Sequence, residues 1–288
     1  MRRVLSCLLL VLALAGCGRS PDADVVVTTN ILGDLVRAVA GGEATVSVLM
    51  KADADPHSFG VSAAQAAGLE RAQLIVHNGL GLEEGVLRHV RAARRTPALA
   101  VAEGVGPIGS DPHFWTDPRR VRRAVDLIAA RIAAEVDGVD AAAIRANAEA
   151  YKKRLDDLDA WIGARVATVP PERRKLITNH HVFGYFAARY GFTVIGAVIP
   201  SGTTLASPSA ADLAGLSRAV RAHRVGAIFA DSSHPDRLAR ALATQAGLDV
   251  RVVPLYSESL TARGPASTYL GLMRANTDAI VTHLKGSP

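Results

Sequence analysis

Residues 141–169 read AAAIRANAEAYKKRLDDLDAWIGARVATV and run straight into Pro170 and Pro171. Ile144, Tyr151, Leu155, Leu158, Trp161 and Ile162 recur at helical steps, one stripe of a helix that the two prolines then stop, because proline lacks the amide a helix needs. At 1.5 Å per residue, a helix of this length spans about 40 Å, enough to run along two lobes. Both flanks alternate strand-like with helix-like segments, the pattern of open parallel sheets covered by helices. Upstream, strands are expected at 25–29, 44–50, 73–77 and 98–102, with helices at 32–40, 62–71 and 83–94. A further helix starts at Asp117-Pro118, an N-cap followed by proline in the first helical position, with Val121, Val125, Ile128 and Ile132 along its apolar face. Downstream, strands are expected at 175–178, 193–199, 226–230 and 250–253, and helices at 182–190, 210–222, 237–246 and 268–285. The expected fold is therefore α/β, two βα lobes with parallel sheets (25–136 and 170–288) joined by a long, rigid backbone helix (137–169), with a cleft between the lobes.

The N-terminus sets the compartment. Arg2 and Arg3 precede an apolar run, residues 4–14, too short for a stable membrane span. The run ends in Leu14-Ala15-Gly16-Cys17, small residues before a cysteine, as lipoprotein processing requires. Residues 1–16 read as a lipoprotein signal peptide, Cys17 as the lipidated mature N-terminus, and 17–24 as a tether holding the protein to the outer face of the cytoplasmic membrane. Of the two cysteines, Cys7 would leave with the signal and Cys17 would carry the lipid. The mature chain then has no thiol for a disulfide or a nucleophile. The chain is basic, with a pI near 9.7. Its arginines, such as Arg88, Arg91, Arg94 and Arg95 and again Arg119, Arg120, Arg122 and Arg123, fall on expected helix faces without interleaved aromatics, a solvated surface and not a nucleic-acid interface.

Open α/β sheets place ligands beyond the carboxyl ends of their strands. Four such ends carry polar chemistry: Asp53-Ala54-Asp55-Pro56-His57, Asp111-Pro112-His113, Asn179-His180-His181 and Leu255-Tyr256-Ser257-Glu258. Three imidazoles and one carboxylate make a borderline-soft, four-coordinate donor set that suits zinc. In the repeated Asp-Pro-His, proline fixes φ beside the ligand and the aspartate can cap the turn. Asp231 and His234, after the strand expected to end at Ala230, fall where a supporting layer would lie. A zinc hydrolase is the competing chemistry, but no HExxH-like helix, nucleophile motif or second metal cluster accompanies the histidines.

Six ordered motifs resemble the metal-receptor group (cluster A-I) of ABC-type solute-binding lipoproteins, which serve zinc and manganese importers. They are Ala54-Asp55-Pro56-His57-Ser58-Phe59, Asn78-Gly79-Leu80-Gly81-Leu82-Glu83, Asp111-Pro112-His113-Phe114-Trp115-Thr116-Asp117-Pro118, His180-His181-Val182-Phe183-Gly184-Tyr185-Phe186, Ile228-Phe229-Ala230-Asp231 and Leu255-Tyr256-Ser257-Glu258. The resemblance implies a monomeric, non-enzymatic receptor for Zn2+ that delivers its metal to an ABC importer permease, with manganese or iron as the alternative cargo. It places the ligands at His57, His113, His180 and Glu258, where the family usually has Asp at the fourth position. The loop 103–110 is short and free of histidine, as in the loop-less zinc receptors, which implies a separate metal-delivering chaperone.

Overall fold

The computed structural model describes residues 23–247 and 250–285. In chain order, β1 (Val25–Val27) leads into α1 (Asn30–Ala40), β2 (Val46–Val48) into α2 (Ala63–Arg71), β3 (Leu74–His77) into α3 (Glu84–Ala92), and β4 (Ala98–Ala100) into the one-turn α4 (Val101–Gly104). Two long helices follow, α5 (Pro118–Glu135) and α6 (Ala141–Ala167). The second half comprises β5 (Lys175–Thr178), α7 (Gly184–Tyr190), β6 (Thr193–Ala197), α8 (Ala210–His223), β7 (Ala227–Asp231), α9 (Arg237–Ala246), β8 (Arg251–Leu255) and α10 (Tyr269–Lys285). The sheets are ordered β2-β1-β3-β4 and β6-β5-β7-β8, and every pairing is parallel. The two halves thus share one topology without a visible sequence repeat. The expected signal peptide and Cys17 lie outside the described residues, and among these no helix is long and apolar enough to cross a membrane.

Local chemistry starts the helices, α1 at Asn30, two residues before the expected start. The Thr29 hydroxyl accepts from Leu32 N–H, Ser62 and Ser209 form capping boxes with Gln65 and Asp212, and Asp117 caps α5 with Pro118 in its first turn. Several strands are shorter than their apolar runs because the chain is already turning: Thr29 leaves β1 to cap α1, and Val101 leaves β4 to start α4.

α6 buries Ile144, Ala148, Tyr151, Leu155, Leu158, Ile162 and Val166, one stripe at steps of three and four. It stops at Ala167, two residues short of the expected end, where Thr168 N–H turns back to the Arg165 carbonyl. Trp161 is off the buried stripe and is covered by the guanidinium groups of Arg274 and Arg165, 4.7 and 5.9 Å from its ring. The helix packs on α1, α5 and α10. One continuous core runs through both lobes, from Val27 and Leu35 through Ile128 and Leu158 to Phe229 and Tyr269. Smaller clusters cover the outer faces, around Leu69 and Ile75 in one lobe and Ile228 and Leu242 in the other. A shared core makes small lobe displacements, and not wide opening, the accessible motion.

Candidate metal centre

Strand ends from both sheets deliver side chains to one place between the lobes, as open α/β sheets do. His57 lies on the loop after β2, His113 follows β4 and α4, His180 follows β5, and Glu258 follows β8. The two Asp-Pro-His segments fold alike: an Asp55 carboxylate oxygen accepts His57 N–H at 2.9 Å, and Asp111 accepts His113 N–H at 2.9 Å. In both, the aspartate closes a turn that points the next imidazole inward. Gly184, at the start of α7, leaves room for Asp111, since a Cβ there would sit 2.8 Å from its Oδ2.

His57, His113, His180 and Glu258 are 4, 0, 0 and 1 % exposed, and one ligand atom from each lies within 4.8 Å of all the others. His113 Nε2 stands 3.4 Å from His57 Nε2, 3.4 Å from His180 Nε2 and 3.4 Å from Glu258 Oε1. Glu258 Oε1 is 2.9 Å from His180 Nε2, and Oε2 is 3.7 Å from His57 Nε2. A tetrahedron with zinc bonds of about 2.0–2.1 Å has edges of about 3.3–3.4 Å, so these separations enclose a space of the right size for such an ion. His113 Nδ1 lies 2.7 Å from Asp111 Oδ1, which holds the proton on Nδ1 and leaves Nε2 bare toward the other ligands. Apart from the approach of His180 Nε2 to Oε1, the Glu258 carboxylate has no hydrogen-bond partner, and the buried Nδ1 of His180 has none either. Imidazole nitrogens facing one another beside a buried carboxylate with so few hydrogen bonds make a donor set suited to a cation.

The electrostatics agree. Burial alone would raise the Glu258 carboxyl, but the His180 and His113 imidazoles outweigh it and hold it at about 2. Burial works against a charged His180, yet the Glu258 carboxylate prevails and raises it above the ordinary value of 6.5. His57 goes the other way: burial lowers it to about 4, only partly offset by Glu258. Of the imidazoles, His180 is thus pushed toward holding a proton beside Glu258, and His57 away from it.

A second layer ties the lobes together over these residues. Trp115 packs edge-on against His113 with ring centres 5.2 Å apart, and its indole N–H donates to the Ser257 carbonyl at 3.0 Å. Tyr269 O–H donates to the Trp115 carbonyl at 2.8 Å, and Tyr185 O–H to the Asp111 carbonyl at 2.7 Å. Asn78 Nδ2 donates to the Pro112 carbonyl at 3.0 Å, and buried Glu83 accepts from the Thr28 hydroxyl and the Asn78 amide. The Asn-Gly-Leu-Gly-Leu-Glu motif is thus a brace for the His113 turn. Asp231 does not join the four: it accepts from the Ser257 hydroxyl and from Ser233 N–H at 2.7 Å, steadying the residue before Glu258. His234 lies farther out, its Nε2 3.5 Å from the Asp55 Oδ2 that also accepts Thr204 O–H at 2.7 Å. His77 is buried at the end of β3, where burial depresses it to about 4, and it too stays outside the cluster. Trp115 and Asn78 stand in the six motifs without an assigned role, and Thr204 was not singled out from sequence. Their signal was placement: each follows a strand end or faces one.

The sequence model of the family described as zinc-uptake complex component A, periplasmic, matches residues 25–283. The zinc-binding protein TroA of Treponema pallidum is 31 % identical over 277 residues, covering 90 % of this chain and 88 % of that protein. The manganese-binding lipoprotein MntA of Bacillus subtilis is 30 % identical over 295 residues, 95 % of each chain, and the iron-binding protein YfeA of Yersinia pestis is 27 % identical over 273 residues, 89 % of this chain and 84 % of that one. Among solved structures, periplasmic TroA superposes with a TM-score of 0.83 at 29 % identity, covering 90 % of this chain and 98 % of that one. A cadmium-bound periplasmic metal-binding protein from Candidatus Liberibacter asiaticus gives 0.81 at 28 %, covering 91 and 99 %.

Proposed function

We propose, for a chain that belongs to the periplasmic zinc-uptake component A family and so is the metal-binding component of an ABC importer and not an enzyme, that its cargo is Zn2+ held by His57, His113, His180 and Glu258. The observation that carries this reading is His113 Nε2, 3.4 Å from each of two further imidazole nitrogens and a carboxylate oxygen in a fully buried cluster. The names of the relatives span zinc, manganese and iron, so the choice of zinc rests on the donor chemistry. Three imidazoles and one carboxylate favour zinc over manganese, which prefers oxygen donors and stands lower in the Irving–Williams order. The single carboxylate offsets half of the dication's charge in a site that excludes water.

Capture and release follow from the same residues. Metal competes with protons for the imidazoles, Glu258 supplies the negative charge opposite the ion, and the shared core limits the accompanying lobe shift. Delivery to the importer's permease needs the second layer to loosen. Zinc binding is expected to release protons, and apparent affinity to fall as pH drops through the range where the imidazoles charge, because protons and metal compete for the same nitrogens. The slope steepens toward about 4, where His57 also charges. Calorimetric titrations in buffers of different ionisation enthalpy measure the proton count, and a pH-independent affinity between 7 and 5 would contradict the histidine ligand set.

The lobe that begins at Val25 would be held at the membrane by a lipid on Cys17. Cys17→Ala is expected to free the protein from washed membranes while leaving zinc binding unchanged, because the tether and the cleft are separate parts of the chain. Retention of the variant on the membrane contradicts lipidation.

A further inference from the structure

Glu258 sits at the middle of a five-residue span whose two ends are each clasped by one side-chain amide. Two residues upstream, Asn276 of α10, only 2 % exposed, accepts Tyr256 N–H at 2.9 Å and donates to the Tyr256 carbonyl at 2.8 Å. β8 has ended at Leu255, so this amide replaces the strand partner that residue 256 no longer has. Two residues downstream, Asn30 in the first turn of α1 accepts Leu260 N–H at 2.9 Å. Its Nδ2 faces Ser259 Oγ at 2.8 Å, the Leu260 carbonyl at 3.3 Å and, in its own lobe, the Lys51 carbonyl at 3.0 Å.

The clasps match in chemistry and differ in origin. Asn276 belongs to the same half of the chain as β8, whereas Asn30 reaches across from the other half. Lys51 lies on the run from β2 to His57, so Asn30 joins the approach to one ligand with the exit from another. One turn on along α1, Asp34 accepts Tyr269 N–H at 2.9 Å, and on the loop after β2 Asp53 N–H donates to the Leu260 carbonyl at 3.0 Å. A cavity of about 290 Å³ lined by Asn30, Asp34, Arg37, Met50, Leu260 and Ser267 borders the clasp, giving water a place to solvate the amide when its bonds lengthen.

We propose that Asn30 is a positioning residue that couples lobe closure to the seating of Glu258. Asn276 fixes the carboxylate's turn to its own sheet; Asn30 makes the contact that lobe displacement breaks. Opening then withdraws the one anionic donor first and leaves the metal on three neutral imidazoles, from which it departs. This rests on the four-residue cluster being the metal site.

The test is zinc affinity and zinc release by chelator competition in a stopped-flow instrument, for the parent, Asn30→Ala, Asn30→Asp, Glu258→Ala and the Asn30→Ala/Glu258→Ala pair. Asn30→Ala is expected to weaken binding about tenfold, the lower end for outer partners of metal ligands, chiefly through faster release. Asn30→Asp keeps the acceptor for Leu260 N–H and loses the donors, so it falls between, and it carries the comparison if Asn30→Ala does not fold. In the Glu258→Ala background the same Asn30 substitution is expected to change affinity less than about twofold, because no carboxylate remains to be seated. Equal losses in both backgrounds, or no loss in the parent background, overturn the coupling. A parent that holds no zinc overturns the metal site and this inference together; a binding parent, a weakened Glu258→Ala and an additive Asn30 effect remove only this inference.

Discussion

Saturating zinc is expected to raise the thermal midpoint of the metal-stripped protein by roughly 10 °C, rising with the logarithm of free zinc. A ligand that binds only the native state at about a thousand times its dissociation constant adds about 4 kcal/mol. In a chain of this size each kcal/mol moves the midpoint by about 2–4 °C. The native state has a specific reason to respond, since the buried Glu258 carboxylate has no hydrogen-bond partner beyond the approach of His180 and three imidazole nitrogens face one another. The stripped protein is expected to stay folded, because the continuous core around α6 does not depend on the cluster. Scanning calorimetry before and after chelation measures this, with His113→Ala as the control that loses most of the shift. A midpoint indifferent to zinc contradicts metal capture, and a stripped chain that is unfolded points instead to a structural metal.

Much of this architecture was legible because its signals are local. The apolar stripe of α6, the cap at Asp117 and the strand runs are properties of neighbouring residues, and the structure departs from them at element ends: α1 starts at Asn30 and β8 runs on to Leu255, each two residues beyond the expected bound, while β1, β2, β4 and β6 are shorter than expected. Asp-Pro-His was legible for the same reason, since its turn is closed by a carboxylate two residues from the histidine it aims. His180 and His181 were separable only by resemblance. In the structure His180 is fully buried in the cluster, whereas His181 N–H bonds the Ser201 carbonyl and its side chain faces away.

The second layer was not legible. Asn30 acts on a serine hydroxyl and a backbone carbonyl 229 and 230 positions away, and Trp115 on a carbonyl 142 positions away. Nothing in the local pattern of a polar residue at a helix start, or of a tryptophan after a histidine, tells which distant turn it will hold. Asn276 left a fainter trace, a polar residue on the buried face of α10 among Leu272, Met273 and Ile280. Its role needed the end of β8 in view.

Removing ligands is expected to give the largest effects on binding. His113→Ala is expected to weaken zinc binding by more than about a hundredfold, beyond the 10–100-fold typical of outer-layer partners, because His113 is central to the other three ligands and already oriented by Asp111. Glu258→Ala is expected to cost at least tenfold, about 1.4 kcal/mol, by leaving the dication on neutral donors in a dry cleft. Part of that loss is offset because the variant no longer buries a carboxylate with so few hydrogen bonds, so the glutamate counts for less than a histidine. Glu258→Asp keeps the charge and is expected to retain most of the affinity.

The most direct measurement is a chelator-competition titration of metal-stripped parent protein beside His113→Ala and Glu258→Ala, in one buffer at neutral pH. The account predicts one tight zinc equivalent per parent chain, lost almost entirely in His113→Ala and weakened at least tenfold in Glu258→Ala. Parent-like binding in His113→Ala, or no tight equivalent in the parent, would contradict it.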